Sequence, residues 1–372
     1  MSTRESIAVA TRGSDLALRQ ARTVAERLED HRIEATLVEV ETTGDRIDDA
    51  LIQDLGKTGA FVRALDERVL DGEVDAAVHS MKDVPTDQPD DIVVAAVPRR
   101  ASPVDVLLSP TGEDLGTLPA GATVGTSSLR RGAQILARRP DLAVEPLRGN
   151  VDTRVQKLLA PRLQAEHERR LEAKKADRSD KERDRKRTDD RDVHDDGPTF
   201  ERSVEEWFDD RSELDRQAME REVDTEYDAI VLARAGLERS GLTDAVSMSD
   251  LSRQHHVPSA GQGALAVTTR SDSELAERLF EALDHPHSRV ATTAERIVLD
   301  ELGGGCVAPI GIHAHIKGDA VSTRVQVLNL DGTEAIAETR DLDVEGYAAA
   351  ARDFAADLAD RGARELIEEA AQ

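Results

Sequence analysis

Cysteine is almost missing from this 372-residue chain: Cys306 is the only one. An intrachain disulfide is therefore impossible, and the residues argue against a thiol-rich metal site. Aromatic residues make up only 2%, so the core must be aliphatic, built from Leu, Val, Ile and Ala. Lysine is scarce as well, at 8 of the 49 basic residues. No stretch approaches the roughly 20 consecutive apolar residues of a transmembrane helix. The N-terminus, Met1-Ser2-Thr3-Arg4-Glu5-Ser6, runs straight into a strand-like segment and lacks the apolar stretch of a signal peptide. Together these absences predict a soluble, cytoplasmic protein with no membrane partner.

Carboxylate is abundant. Asp and Glu number 75 and the formal net charge is −26. Excess carboxylate, little lysine and small apolar residues are the style of a surface adapted to high salt. At ~1 M salt the Debye length falls to about 3 Å and surface self-repulsion is screened. Such a surface excludes nucleic acid as the expected partner, because phosphate binding needs a basic face.

The one thiol has an unusual setting, Leu302-Gly303-Gly304-Gly305-Cys306-Val307-Ala308-Pro309. Three glycines before it and a proline after it are incompatible with a helix or a central strand. A free cysteine is ordinarily a small buried hydrophobe; in an open loop it can meet a ligand.

Four segments repeat one design: a short strand, a loop with Arg and small polar residues, then a helix. Ile7-Ala8-Val9-Ala10 leads into Arg12-Gly13-Ser14. Ala122-Thr123-Val124 leads into Gly125-Thr126-Ser127-Ser128 and a helix with Arg130 and Arg131. Glu145-Pro146-Leu147 leads into Arg148-Gly149-Asn150 and a helix with Arg154. A strand over 227–232 leads to Arg239. This alternation predicts parallel α/β sheets. Ligands of such sheets sit beyond the carboxyl ends of the strands, where helix N-termini favour anions. Arginine forks at those places make a site for several carboxylates. Residues 74–78 read as a buried strand with Lys82 and Asp83 just past its carboxyl end. An Asp amid many arginines stays ionised and can stabilise positive charge building on a substrate.

Residues 160–226 are too polar to repay their ordering entropy by burial. They read as an insertion, a charged helix or disordered loop away from the chemistry. After Pro286 the pattern becomes a small α+β unit: a helix ending at the glycine loop, three strands, a hairpin turn at Asn329-Leu330-Asp331-Gly332, and a last helix over 344–370. Gly56-Lys57-Thr58 is not a P-loop, because Leu51 stands where the motif needs glycine. The His255/His256, His285/His287 and His313/His315 pairs lack a third ligand at metal-binding spacing.

The runs His79-Ser80-Met81-Lys82-Asp83-Val84-Pro85-Thr86, Gly125-Thr126-Ser127-Ser128-Leu129-Arg130-Arg131, Leu147-Arg148-Gly149-Asn150-Val151-Asp152-Thr153-Arg154 and Gly304-Gly305-Cys306 closely resemble the hydroxymethylbilane synthase (porphobilinogen deaminase) family. Ala235-Gly236-Leu237-Glu238-Arg239 and Pro258-Ser259-Ala260-Gly261-Gln262-Gly263-Ala264 agree. The resemblance implies an α/β fold of two type II periplasmic-binding-protein-like domains plus a small α+β C-terminal domain. Their implied bounds are 1–98 with 262–281, 104–258 including the insertion, and 286–372.

The implied reaction, in tetrapyrrole (heme, porphyrin) biosynthesis, joins four porphobilinogens head to tail into hydroxymethylbilane with release of ammonia. By resemblance, Cys306 carries a dipyrromethane cofactor through a thioether. Asp83 is catalytic and hydrogen-bonds pyrrole N–H groups. Lys82, Ser128, Arg130, Arg131 and Arg154 bind the cofactor, and Arg12, Ser14, Arg148 and Arg239 bind substrate. The family's lysine before the glycine that leads into the phenylalanine segment is Thr58 here, with lysine one position earlier. Either Lys57 takes over that substrate carboxylate or Thr58 leaves it to water. The family further implies a monomer and no metal. A two-lobed solute-binding protein is the competing reading; it needs the arginine loops but neither Cys306 nor Asp83.

Overall fold

The computed structural model describes residues 5–40, 60–184, 200–304 and 308–370. The chain opens with β1 (Glu5–Arg12), α1 (Asp15–Asp30), β2 (Ile33–Val40), α2 (Ala60–Leu70), β3 (Ala76–Ser80), a 3-10 turn at Met81–Asp83, and β4 (Ile92–Ala96). It crosses to β5 (Asp105–Leu108), β6 (Thr123–Gly125), α3 (Leu129–Arg138), β7 (Ala143–Glu145), α4 (Val151–Asp184), α5 (Val204–Asp209), α6 (Glu213–Met219), β8 (Ala229–Ala233), α7 (Arg234–Ser240) and β9 (Met248–Asp250). It then returns with β10 (Leu265–Arg270) and α8 (Leu275–Leu283). The third unit holds α9 (Pro286–Glu301), β11 (Ile310–Lys317), β12 (Ala320–Leu328), β13 (Ala335–Asp343), α10 (Tyr347–Ala359) and α11 (Ala363–Ala370).

The first sheet runs β2-β1-β3-β10-β4 and the second β7-β6-β8-β5-β9. These are one pattern used twice, and they give the two type II periplasmic-binding-protein-like lobes. The sheets are not wholly parallel, as the alternation alone predicted. β10 lies antiparallel to β3 and β4, and β5 antiparallel to β8 and β9. Both exceptions are strands that the chain reaches by crossing between lobes, so they enter their sheets from the opposite end. β11-β12-β13 is a separate antiparallel sheet.

The cores are aliphatic, as so few aromatics require. α1 presents Ala21, Val24 and Leu28 to the first sheet at helical spacing. Ser14 caps it, its side chain accepting from the Ala17 N–H. Phe354, the one aromatic in the third unit's buried core cluster, is fully enclosed. The single last helix predicted over 344–370 is two helices, broken where Gly362 takes φ +95°. At the predicted hairpin turn, a Cβ on Gly332 would stand 2.4 Å from the Ala133 carbonyl oxygen on α3. Glycine lets the third unit press against the second lobe there.

The charged insertion holds more structure than its composition implied. The 34-residue α4 runs into it as far as Asp184, and α5 and α6 fold back, each opened by a serine capping box. Trp207 stacks on His167 at 6.0 Å, and the Arg170 guanidinium lies 4.2 Å from the Phe200 ring centre. These aromatics flanked by cations add to the aliphatic packing of Leu163, Leu214, Ala218 and Val223. Residues 185–199 lie outside the described part.

All three units converge on the two crossings, residues 97–104 and 251–264. Gly261 and Gly263 both have positive φ, and a Cβ on Gly263 would stand 2.7 Å from the Ala101 carbonyl oxygen. Only glycine lets the crossings touch. Glu295 of α9 is fully buried beneath them. Its carboxylate accepts from Arg100 Nη1 (2.7 Å) and Nη2 (3.1 Å), from Gly261 N (2.7 Å) and from Ala314 N (2.7 Å).

Two buried histidines sit at the same joint. Burial, foremost, pushes His256 on the second crossing down to about 4 and His313 on β11 down to about 3. His313 Nε2 accepts from Arg253, 3.2 Å away, which requires the neutral ring. The unfolded chain binds these protons from pH 6.5 downward while the folded chain refuses them. Stability should therefore fall as pH drops from about 6.5 toward 4, by on the order of 3 kcal/mol per histidine at full effect. Guanidinium unfolding midpoints at pH 7 and 4.5 measure this. His256→Gln and His313→Gln should each flatten the dependence, and slopes equal to the parent's in both variants would reject this origin.

Candidate active site

The predicted residues fall at the carboxyl ends of parallel strands in both lobes. On the first lobe, Arg12 ends β1 and Ser14 caps α1. Lys82 and Asp83 lie on the 3-10 turn directly after β3, both side chains exposed. This turn is braced from two directions. Met81 N donates to the Ala264 carbonyl of the second crossing at 3.0 Å. Arg296 of α9 donates to the Val84 and Pro85 carbonyls, each at 2.6 Å. β3 neighbours β1 in the sheet, so the Asp83 turn and the Arg12–Ser14 loop share one edge.

On the second lobe, Ser128 caps α3 and accepts from Arg131 N. Arg148 follows β7, half-buried, and Arg154 lies one turn into α4 with its Nε donating to the Gly149 carbonyl at 2.7 Å. Neither Arg148 nor Arg154 pairs with a described carboxylate. Burial, with Arg131 nearby, pushes Arg154 down to about 10, as expected of a guanidinium that has lost water without gaining a counter-charge.

Arg130 and Arg131 differ from these. Both are buried against Asp105, itself fully enclosed: Arg130 Nη2 is 2.8 Å from Oδ2 and Arg131 Nη2 is 2.7 Å from Oδ1. Arg130 also donates to Gln134 Oε1 (2.9 Å) and the Val257 carbonyl (2.8 Å), and Arg131 to the Val231 carbonyl (3.2 Å). Burial opposes the charge on Asp105, yet the two guanidiniums outweigh it and hold the carboxyl well below its usual range. Two cations against one anion leave the group net positive, with much of its hydrogen-bonding capacity spent inside the protein. Arg239 lies on α7 and donates to the Gly263 carbonyl of the second crossing at 2.8 Å. Cys306 and Lys57 lie outside the described residues. The flanks of Cys306 are in place: α9 ends at Glu301, Gly304 N donates to the Leu299 carbonyl at 3.0 Å, and Ile312 N to the Pro258 carbonyl at 2.7 Å.

Set against known proteins, residues 7–166 and 213–278 match the model described as "Porphobilinogen deaminase, dipyromethane cofactor binding domain", and residues 290–361 match "Porphobilinogen deaminase, C-terminal domain". The chain belongs to the porphobilinogen deaminase family. The deaminase model omits 167–212, within the stretch read as an insertion. A protein of Halobacterium salinarum named "Probable porphobilinogen deaminase" is 58% identical, over 98% of each chain. The "Porphobilinogen deaminase" of Sulfurimonas denitrificans is 35% identical over 98% of this chain and 97% of its own. Among solved structures, the methionine-binding protein MetQ covers 75% of this chain and 90% of its own at a TM-score of 0.34 and 12% identity, too distant to carry an argument.

The deaminase cofactor named in that model is a pair of linked pyrroles bearing acetate and propionate groups. The donor set fits it: Arg148 and Arg154 face no described counter-ion, in a chain where carboxylates outnumber cations.

No role for Asp105, Gln262, Glu295 or Arg296 is legible in the sequence. No local signal marks them, because their partners lie far along the chain, from 19 residues for Glu295 and Ala314 to 212 for Arg296 and Val84. Gln262 Nε2, for example, donates to the Pro103 carbonyl (2.6 Å) and to Asp105 (2.9 Å). Asp105→Ala leaves two buried cations unpaired and should lower unfolding stability by about 3–5 kcal/mol. A denaturation midpoint equal to that of the unaltered protein would refute this.

Proposed function

We propose that this chain works as its family does through the residues described above. It polymerises four porphobilinogen molecules head to tail into hydroxymethylbilane and releases ammonia. Cys306 is the attachment point for the dipyrromethane, through a thioether. The bound dipyrromethane supplies a free pyrrole α-carbon that serves as the nucleophile for the first addition. Lys82, Ser128, Arg130, Arg131 and Arg154 hold its carboxylates. Arg12, Ser14, Arg148, Arg239 and Lys57 receive those of the substrate. The units 1–98 with 262–281 and 104–258 form the two walls, and 286–372 carries the thiol.

The observation that carries this reading is the exposed Asp83 carboxylate, set on a turn braced by both the second crossing and α9, together with Arg148 and Arg154 at strand ends of the other lobe, which pair with no described carboxylate. Asp83 accepts a hydrogen bond from a pyrrole N–H and offsets positive charge that develops on the ring as ammonia departs. The arginine forks orient each ring by its two carboxylates, so that successive rings meet Asp83 in one pose. Arg130 and Arg131, fixed by Asp105, contribute field and position more than free donors. The substrate is a small molecule, and the protein works as a cytoplasmic monomer without nucleic acid or membrane. Among the described residues, no helix is long and apolar enough to cross a membrane.

Two measurements test the assignment. Intact-protein mass should exceed the sequence mass by two linked pyrrole units, and Cys306→Ser should abolish both the excess and turnover. A bare polypeptide that polymerises porphobilinogen at full rate would end the proposal. Asp83→Asn should keep the extra mass while kcat falls on the order of 10²-fold or more; an unchanged kcat would remove Asp83 from the chemistry.

A further inference from the structure

α1, α8, the first crossing and the start of α9 line an open hollow of about 310 Å³. Its wall is cationic in an acidic protein. Arg27 comes from the last turn of α1, Arg99 from the first crossing, His31 from the C-cap of α1, and His285 from the N-cap of α9. Neither Arg27 nor Arg99 pairs with a described carboxylate, although the chain carries a net charge of −26. Two acids share the wall. Asp284 is committed, its Oδ1 accepting from Val97 N and Arg289 Nε at 2.8 Å each. That leaves Asp30 to oppose the cations.

His285 Nδ1 accepts from the Ser288 backbone N–H at 3.2 Å, so its neutral ring carries the proton on Nε2, where it can be donated. Burial first, then Arg99, His287 and Arg27, push His285 down, with Asp284 opposing. Arg27 also adds to the burial that lowers Arg239 on α7. The carbonyl ends of α1 and α8 absorb part of this charge, but one guanidinium in the last turn of α1 suffices for a helix end. Arg99 is surplus to it.

We propose that this hollow binds a compact oxyanion of charge −2 or more, the chemistry shared by inorganic phosphate and small dicarboxylates. The bound anion ties α1 of the first lobe to the first crossing and to the start of α9. It thereby links the wall that bears Asp83 to the unit that precedes Cys306.

The test uses the full, cofactor-loaded protein with isotope-labelled histidine rings, at constant ionic strength set with KCl. His285→Gln assigns the His285 resonance. Titration with inorganic phosphate should shift it saturably, and Arg27→Gln/Arg99→Gln should weaken that binding at least 10-fold. Without phosphate the double variant should turn over porphobilinogen as the parent does. Arg99→Gln alone, at an exposed position, serves if the double variant folds poorly, and should weaken binding several-fold. Succinate titrated in parallel tells whether phosphate or a dicarboxylate is the better fit, and tighter binding of either supports the site. The proposal is overturned by no saturable shift, by a shift equally strong in the variants, or by one that chloride reproduces.

Discussion

One buried carboxylate holds the molecule together. Glu295 is removed from water and would be costly there alone. It is stable because the guanidinium of Arg100 and two backbone N–H groups, from Gly261 and Ala314, complete its hydrogen bonding. Those partners come from the first crossing, the second crossing and β11. A single side chain thus sets the angle at which both lobes meet the third unit. Arg296, the next residue, reaches past the joint to the carbonyls behind Asp83. The helix that leads into the glycine–cysteine loop therefore also steadies the turn that carries the catalytic acid of the proposed mechanism.

The second constraint is electrostatic. A chain this acidic could neutralise every arginine it has, and much of its surface does so in short-range pairs such as Arg139–Asp141 and Arg270–Asp272. At the strand ends of the second lobe the pattern is withheld. Asp105 neutralises one of two adjacent guanidiniums, and Arg148 and Arg154 meet no described acid. Positive potential is concentrated where carboxylate-bearing rings are expected, while the outer surface stays anionic.

Much of this was legible in the sequence because it is local. The strand–loop–helix units, the Lys82–Asp83 turn and the hairpin at Gly332 all follow from propensities spanning a few residues. The family's motifs are long and ordered enough to name the fold. What escaped were relations across distance. The antiparallel β5 and β10 depend on the crossing of the chain, which periodicity does not encode. The spent donors of Arg130 and Arg131 depend on Asp105, a residue that reads as an ordinary strand opening. The small aromatic core around Trp207 hides in a segment whose composition argues for solvent, because cations over rings add to its aliphatic packing. The break at Gly362 lies inside an apolar periodicity that continues on both sides of it, which reads as one helix.

The exchange of strands between lobes bears on how the protein is made. β10 completes the first sheet yet is translated only after the whole second sheet, which closes by Asp250. A ribosome reading this message releases a finished second lobe while the first still lacks an inner strand. The N-terminal lobe, first to emerge, must wait as an open sheet with the edge of β3 unfilled. Vectorial synthesis and the order of assembly thus run in opposite directions, and the nascent chain is most exposed to misassociation during that interval.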